Sequence, residues 1–200
     1  MCDVGDRAQV KDVARRVGER HDAVHLLVAN AGIPARGGYL DIPPERIEEV
    51  TRVNYLGAVW ALLGFLPLLE RGTPSDVVNV VSVAGAVAGP TAGPYVASKH
   101  AQLAFSRTTA RELAPRGIRV HAVNPGPVAT PGFPQERLRT SRLSRYALAS
   151  VDDVARAVLR AVEHDRREIF VPRAFRLAAA AQVLAPGTVA RAARLRRWAP

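Results

Sequence analysis

Tyr95 and Lys99 are the two side chains in this sequence whose types and spacing most directly permit acid–base chemistry. They are four residues apart in a segment with helical periodicity, so they share one helix face at about 5 to 6 Å. An unperturbed tyrosine has a pKa of about 10, and a nearby ammonium group favours the phenolate. Hydride transfer to or from a carbinol carbon needs such a group to take or supply the hydroxyl proton. The same spacing also occurs by chance in helices with a solvated tyrosine, so the pair needs support from its surroundings.

Ser82 and Asn54 supply that support. Ser82 follows an apolar run and is joined to Tyr95 by a loop rich in Gly and Ala, so its hydroxyl could polarise a substrate oxygen beside the phenol. Asn54 lies inside an apolar helical stretch, where an amide without partners costs free energy. We therefore expect both side chains to have a specific role.

Alternating strands and helices are the elements that must position these residues. Short apolar, β-branched runs predict strands, and amphipathic or apolar segments of helical periodicity predict helices. The predicted strands are 25–29, 76–83, 118–124 and 168–171, and the predicted helices are 6–20, 45–70, 95–114 and 152–163. This alternation indicates an α/β fold with a doubly wound parallel sheet. Ligands bind beyond the carboxyl ends of such strands, where Asn30, Ser82 and Asn124 lie.

The charge balance narrows the range of partners. The formal net charge of the 200 residues is +10, which would ordinarily raise nucleic acid or an anionic membrane as a partner. Acidic residues are interleaved with the arginines as far as Glu168, so we expect no nucleic-acid binding. From 169 onward the chain has six arginines and no acidic residue. That basic tail is compatible with weak contact to an anionic membrane surface, with a cover over the substrate site, or with an oligomer contact.

Cysteine usage and apolar runs indicate a cytoplasmic protein. Cys2 is the single cysteine, so no internal disulfide can form, and no Cys/His cluster has the spacing of metal ligands. The first ten residues lack the features of a secretory signal. The apolar run 55–69 is shorter than the roughly 20 residues of a bilayer span and contains Pro67, so we interpret it as a core helix.

The motifs taken together resemble those of the short-chain dehydrogenase/reductase family. They occur in the family's order between about residues 3 and 171: Asn30-Ala31-Gly32, Asn54, Ser82, Tyr95-x-x-x-Lys99 and Asn124-Pro125-Gly126-Pro-Val-Ala-Thr130. The resemblance implies a Rossmann-like fold and an NAD(P)-dependent oxidoreductase that interconverts a secondary alcohol and a ketone. It implies that Tyr95 is the acid/base, that Lys99 lowers its pKa and binds the nicotinamide ribose, that Ser82 orients the substrate oxygen, and that Asn54 holds a water in a proton relay.

Contacts to NAD or NADP follow from the same resemblance. It implies that Asp3 and Val4 meet the adenine, that Asn30, Ala31 and Gly32 line the cofactor cleft, that Pro125, Gly126, Val128 and Thr130 contact the nicotinamide, and that the loop 131–150 forms a substrate lid.

Other interpretations of these residues stay open: Asn30 and Gly32 could only tie the sheet together, and Pro125-Gly126 could simply end a strand. We expect His100 and His121 to be structural hydrogen-bond partners. By analogy with the family, Trp60 and its neighbouring leucines belong to the core or to the interface of a homodimer or tetramer.

The chain departs from the family at its amino-terminal end. The family's first βαβα portion, with a T-G-x-x-x-G-x-G turn that binds the pyrophosphate, is missing from these residues. We therefore expect a partial Rossmann-like domain over 1–172, with strand 25–29 at an exposed sheet edge, and a helical tail over 173–200. Two explanations compete: Met1 is an internal methionine of a longer gene product, or the chain is a remnant. A remnant could be catalytically silent and act by helix pairing with a full-length relative.

Overall fold

Four parallel strands form one sheet whose carboxyl ends carry most of the residues singled out above. The structure, a computed structural model, describes residues 1–89, 92–129 and 148–195, the last four by their backbone alone. The strands are β1 (Leu26–Ala29), β2 (Ser75–Val80), β3 (Ile118–Pro125) and β4 (Glu168–Val171). They lie in the order β1-β2-β3-β4, and every neighbouring pair is parallel.

Helices connect the strands and follow the last one. In chain order they are α1 (Arg7–Gly18), α2 (Pro44–Thr51), a π-helical segment (Arg52–Leu56), α3 (Gly57–Arg71), a 3-10 turn (Val83–Gly85), α4 (Gly93–Glu112), a second 3-10 turn (Ala114–Arg116), α5 (Val151–Glu163), α6 (Phe175–Leu184) and α7 (Pro186–Leu195). The predicted α/β alternation is therefore confirmed.

The two faces of the sheet are covered by different helices, which makes the fold doubly wound. Val77 of β2 packs in one apolar cluster with Leu62 of α3. The next residue, Val78, points to the opposite face and packs in a second cluster with Ala157 of α5. This alternation follows from the period of two along a strand, and it fixes the register of the sheet.

Strand β1 lies at the sheet edge, as the sequence predicts, but it is less buried than its apolar composition indicates. Leu27 packs against the cluster beneath α3, whereas Leu26 and Val28 are 44% and 42% exposed. Val28 pairs with Val78, so it faces the side that α5 covers farther along the sheet. An apolar strand of a parallel sheet is ordinarily buried on both faces, but burial of β1 depends on a covering element that the local sequence does not report. An exposed apolar edge of this kind favours aggregation.

One long helix runs from Pro44 to Arg71, where the sequence predicts a single helix over 45–70. Its middle turn, Arg52–Leu56, is π-helical and carries Asn54. Such segments are rare and often mark functional sites. By length and composition alone this helix could cross a bilayer, but Leu62 and Leu69 are buried in the cluster against the sheet. The packing supports its interpretation as a core helix.

The segment after β4 folds back toward the end of β3. The Gly126 N–H donates to the Val171 carbonyl at 2.8 Å, and the Phe175 ring at the start of α6 lies against Gly126. The break between α6 and α7 falls at Ala185, one residue before the predicted Pro186-Gly187 break. The exposed surface of α6 is largely apolar, and it includes a stripe formed by Leu177, Ala180, Ala181 and Leu184.

Candidate active site

Tyr95 and Lys99 lie one turn apart near the start of α4, on the same side of the helix. The Lys99 Nζ is 6.0 Å from the centroid of the Tyr95 ring. Pro94 occupies one of the first two helical positions, where a missing N–H leaves no hydrogen bond unmade. The two side chains therefore share one face of α4, as their spacing predicts, and the helix start brings the phenol to the carboxyl end of the sheet.

The Lys99 ammonium is buried and bound by neutral acceptors. The side chain is 3% exposed, and its Nζ donates to the Val80 carbonyl at 3.2 Å and to the Gln102 Oε1 at 2.8 Å. Removal from water disfavours the charged form and lowers the pKa of Lys99 to about 8. The ammonium therefore begins to lose its proton close to neutral pH.

Tyr95 does not have the lowered pKa that its spacing from Lys99 suggests. Burial raises the pKa of its phenol above the ordinary value, and a hydrogen bond with Ser82 acts in the opposite direction. The nearby ammonium is 6.0 Å from the ring centroid and is already engaged by Val80 and Gln102. In this arrangement burial outweighs the Ser82 hydrogen bond, so the pKa of Tyr95 stays raised and the phenol is protonated at neutral pH.

Ser82 connects the end of β2 to the end of β3. The sequence extends the strand to Val83, but β2 ends at Val80 and Ser82 begins a 3-10 turn. Its Oγ accepts from the Ala84 N–H at 3.1 Å and donates to the Pro125 carbonyl at 3.3 Å. The hydroxyl is thus held beside the Tyr95 phenol and next to the Pro125-Gly126 motif.

Asn54 is fully buried and has several hydrogen-bond partners. Its Oδ1 accepts from the Ile33 N–H at 2.8 Å, and its Nδ2 donates to the Ile33 carbonyl and to the Ser98 Oγ, both at 3.0 Å. The amide therefore joins three elements: the loop after β1, the π-helical segment and α4. This explains how a lone amide is tolerated in an apolar helix.

Gly32 allows the loop after β1 to approach the site closely. A Cβ on this residue would lie 3.2 Å from the Asn54 Oδ1 and 3.5 Å from the Lys99 Nζ. Asn30, Ala31 and Gly32 are all exposed. Gly32 therefore lies beside Asn54 and Lys99, while Asn30 and Ala31 follow β1 at the open end of the sheet.

The remaining residues expected to contact a cofactor divide into two groups. Val4 packs closely against Gly57, just after the π-helical segment, and the Asp3 Oδ1 accepts from the Gly5 N–H at 2.8 Å. The Gly126 side-chain position is occupied by Phe175, whose ring would lie 2.4 Å from an added Cβ, so packing is enough to require glycine there. Val128 packs in the cluster beneath α5. Thr130 and the predicted lid, apart from 148–150, lie outside the described residues.

Comparisons with known proteins decide the family. The family model for short chain dehydrogenases matches residues 1–140, which is more than half of the chain. The chain belongs to the short-chain dehydrogenase/reductase family. It is 33% identical over 164 residues to the 3-oxoacyl-[acyl-carrier-protein] reductase of Thermotoga maritima, covering 80% of this chain and 67% of that protein.

Two further comparisons agree with this assignment. The 1-deoxy-11-beta-hydroxypentalenate dehydrogenase of Streptomyces exfoliatus is 32% identical over 172 residues, 84% of this chain and 62% of that protein. The crystal structure of an alcohol dehydrogenase from Thermococcus sibiricus, complexed with 5-hydroxy-NADP, superposes with a TM-score of 0.73 at 28% identity, over 84% of this chain and 71% of that one. The chain thus spans between about half and two thirds of the length of several curated relatives, such as 47% of a rat dehydrogenase/reductase.

The structure also reveals polar residues around the candidate site that sequence reasoning missed. Gln102 and Ser98 are buried on the inner face of α4, where they bind Lys99 and Asn54. A polar residue three or seven positions from a buried lysine is the sequence signal that could have identified Gln102. The Asn124 amide is buried at the end of β3, and neither of its polar atoms has a partner among the described residues.

The histidines of this family member behave as expected from sequence. His121 is fully buried, with Nε2 2.8 Å from the Asp76 Oδ1 and Nδ1 3.0 Å from the Arg166 carbonyl. The His100 Nδ1 lies 3.0 Å from the Val96 carbonyl on the exposed side of α4. Both are hydrogen-bond partners in the scaffold.

Within 1–89, 92–129 and 148–195, no group of three or more metal-ligating side chains comes together.

Proposed function

We propose that this chain carries the catalytic part of an NAD(P)-dependent oxidoreductase that interconverts a secondary alcohol and a ketone. The observation that carries the proposal is the convergence of Ser82, Tyr95 and Lys99 at the carboxyl end of the sheet, with Tyr95 hydrogen-bonded to Ser82 and the ammonium buried beside the ring. Reacting groups that are positioned in advance reduce the barrier to proton transfer.

Tyr95 has the protonation state that the reducing direction requires. Burial keeps its phenol protonated at neutral pH, so it can donate a proton to the ketone oxygen as the carbon receives a hydride. In the oxidising direction the phenolate takes the alcohol proton back. The Ser82 hydroxyl, fixed between the Ala84 N–H and the Pro125 carbonyl, orients the substrate oxygen.

The residues around Lys99 fit the ribose end of a nicotinamide cofactor. The ammonium has three donors, only two of which are used by Val80 and Gln102, and Gly32 leaves space beside it. A bound cofactor would supply or accept the hydride. Lys99 would donate to the ribose hydroxyls, and Asn54 would hold the loop after β1 in place and order a water in the proton relay. The deciding residues for NAD or NADP are outside this constellation.

Cofactor binding is tested by titrating the intrinsic fluorescence of the purified chain with NADH and with NADPH. Saturable quenching is expected with at least one of them. Lys99→Met should weaken that binding about tenfold or more, because it removes a charge-assisted hydrogen bond. Lys11→Met is the matched control, since Lys11 is the one other lysine and is exposed on α1. Equal affinity in the two variants would contradict the role given to Lys99.

We also propose a homo-oligomer that pairs the helices carrying Asn54 and Tyr95. Leu63 on the outer side of α3 is 52% exposed, although the helix is strongly apolar. Trp60 is half-buried beneath the Arg7 guanidinium, 5.1 Å from the ring centroid, so it belongs to the packing of α1 on α3. Light scattering of the native chain and of Leu63→Glu tests this: a dimer or tetramer should become a monomer. Retention of the same mass by a folded variant would argue against this interface.

A weak contact of the tail with an anionic membrane surface is the second partner that we propose. The outward stripe of α6, formed by Leu177, Ala180, Ala181 and Leu184, has the i, i+3, i+4, i+7 spacing of an apolar helix face. Exposed arginines flank it at Arg173 and Arg176. Apolar area together with cations is what binds an interfacial helix. Sedimentation with phosphatidylserine vesicles, lost when 174–200 are removed, is the expected result.

A further inference from the structure

The Lys99 ammonium occupies a position that one neighbouring side chain controls. Gln102 follows it by three residues on α4, and its side chain lies on the same buried side of the helix at 1% exposure. The Oε1 of this amide accepts from the Lys99 Nζ at 2.8 Å, which is shorter than the 3.2 Å to the Val80 carbonyl. Gln102 is therefore the side chain that contributes most directly to holding the ammonium.

Gln102 belongs to a buried polar row beneath α4. Ser106 lies one turn farther along and donates from its Oγ to the Gln102 carbonyl at 2.7 Å. The same Oγ accepts from the Asn79 Nδ2 of β2 at 2.9 Å. The row runs from Lys99 away from the open end of the sheet, and it ties the backbone carbonyl of Gln102 to β2 through Ser106. Burial at 1% exposure restricts the side chain, so its amide oxygen faces the Lys99 ammonium.

The other groups that face Lys99 are uncharged at neutral pH. Tyr95 lies above it as a protonated phenol, the Asn54 amide and Gly32 face it from the π-helical segment and the loop after β1, and Val80 presents a carbonyl from β2. Among the described residues, burial is the dominant influence on its proton, and no carboxylate opposes it. The charge of Lys99 consequently depends on neutral acceptors, of which Gln102 supplies the side-chain oxygen at 2.8 Å.

We infer that Gln102 is the positioning residue of Lys99: its amide oxygen holds the ammonium in the ionised form and on the strand side of the site until a bound hydroxyl takes its place. An ammonium that is bound by neutral acceptors can be redirected by a ligand, because its hydrogen bonds to them are weaker than a hydrogen bond to a carboxylate would be. The held position also explains why the ammonium does not lower the Tyr95 pKa in the free chain. Binding of a hydroxyl-bearing ligand would draw Lys99 toward the phenol.

The charge of Lys99 can be followed directly, because the sequence has only two lysines. In protein labelled with ¹³C-lysine, the two Cε signals are titrated with pH, and exposed Lys11 is the internal control. The wild-type Lys99 midpoint is expected at about 8. Gln102→Leu removes the acceptor, so the midpoint should fall by about one pH unit, while Gln102→Glu should raise it by about one unit or more. The Lys11 midpoint should not move.

Either variant can overturn the inference. A folded Gln102→Leu protein whose Lys99 midpoint stays within about 0.2 units of wild type would show that the amide does not stabilise the ammonium. If Gln102→Leu does not fold by circular dichroism, the near-isosteric Gln102→Glu decides. A carboxylate at 2.8 Å that left the midpoint unchanged would equally contradict the assignment.

The consequence for turnover rests on the proposed function and is measured separately. If the chain oxidises or reduces a substrate, the alkaline limb of its pH–rate profile in Gln102→Leu should move in the same direction as the Lys99 titration, with kcat affected more than KM. A residue that served only as core packing would change stability without moving this limb. The lysine titration needs no turnover, so failure of the proposed reaction and failure of the inference remain distinguishable.

Discussion

The carboxyl end of the sheet and the tail after β4 depart in opposite ways from the usual distribution of polar side chains outside and apolar side chains inside. At the sheet end, polar groups are buried: Asn54 and Asn124 are inaccessible and Lys99 is 3% exposed. On α6, apolar groups face solvent, with Leu177 76% and Leu184 83% exposed. Buried polar groups and exposed apolar surfaces are the informative departures from the usual pattern. One region indicates chemistry and the other indicates a surface that meets a partner.

The two regions also differ in how closely their parts depend on one another. Each polar group of the site other than Asn124 is held by a second element, so removing one leaves a partner unsatisfied. Apart from Phe175, which packs on Gly126, α6 lies mainly against β4 and α7, and none of its described residues is fully buried. Substitutions should therefore be costly in the site and nearly neutral for stability in the tail, and three experiments can break or sharpen that contrast.

The largest effect is expected from Asn54→Leu. It leaves the Ile33 N–H, the Ile33 carbonyl and the Ser98 hydroxyl without their amide partner, which should lower the free energy of unfolding by about 3 kcal/mol. Urea unfolding followed by circular dichroism measures this. Asn30→Leu, at an exposed position near the same loop, should change stability by less than about 0.5 kcal/mol. Equal effects of the two variants would mean that Asn54 is not the clamp between the loop and α4.

A smaller difference is expected between two glycines, one from each region. An alanine at Gly126 would meet the Phe175 ring at 2.4 Å, so Gly126→Ala should destabilise the fold by about 1 to 3 kcal/mol through overpacking. At Gly187 no atom lies within 4 Å of the added Cβ, and the residue is helical. Gly187→Ala should be neutral or stabilising by up to about 1 kcal/mol. Thermal unfolding of both variants checks the contrast, and a destabilised Gly187→Ala would show that the tail is more tightly packed than its exposure indicates.

The smallest change in stability is expected from the double variant Leu177→Gln, Leu184→Gln. Both side chains point away from the protein, so the free energy of unfolding should move by less than about 0.5 kcal/mol. Sedimentation with phosphatidylserine vesicles should nevertheless be lost. Leu40→Gln, which changes a fully exposed leucine outside the tail, should sediment like wild type. Unchanged sedimentation of the double variant would show that the apolar stripe does not contribute to membrane contact.

Much of this fold could be predicted from local sequence. The four strands are short β-branched runs, and the helices between them have apolar residues at helical spacing, so element type and order follow from periodicity. The Tyr95 to Lys99 spacing places both side chains on one face without further information. Ser82 is predicted near them because parallel strands end at one edge of the sheet.

Features that depend on neighbours distant in sequence could not be predicted in this way. The π-helical turn at Asn54 shifts hydrogen bonds without altering the apolar pattern, and the exposure of Leu26 and Val28 depends on what covers β1. Gln102 resembles a surface residue until α4 is placed on the sheet. The raised pKa of Tyr95 follows from burial, which outweighs the hydrogen bond with Ser82.

The most direct test of the central claim is the turnover of Tyr95→Phe with a secondary alcohol or ketone that the wild-type chain converts. The substitution removes one hydroxyl and keeps the ring that Lys99 faces. The account predicts that kcat falls at least about a thousandfold while the dissociation constant of NADH or NADPH changes by less than about threefold. A variant that turns over within tenfold of wild type would show that another group moves the proton.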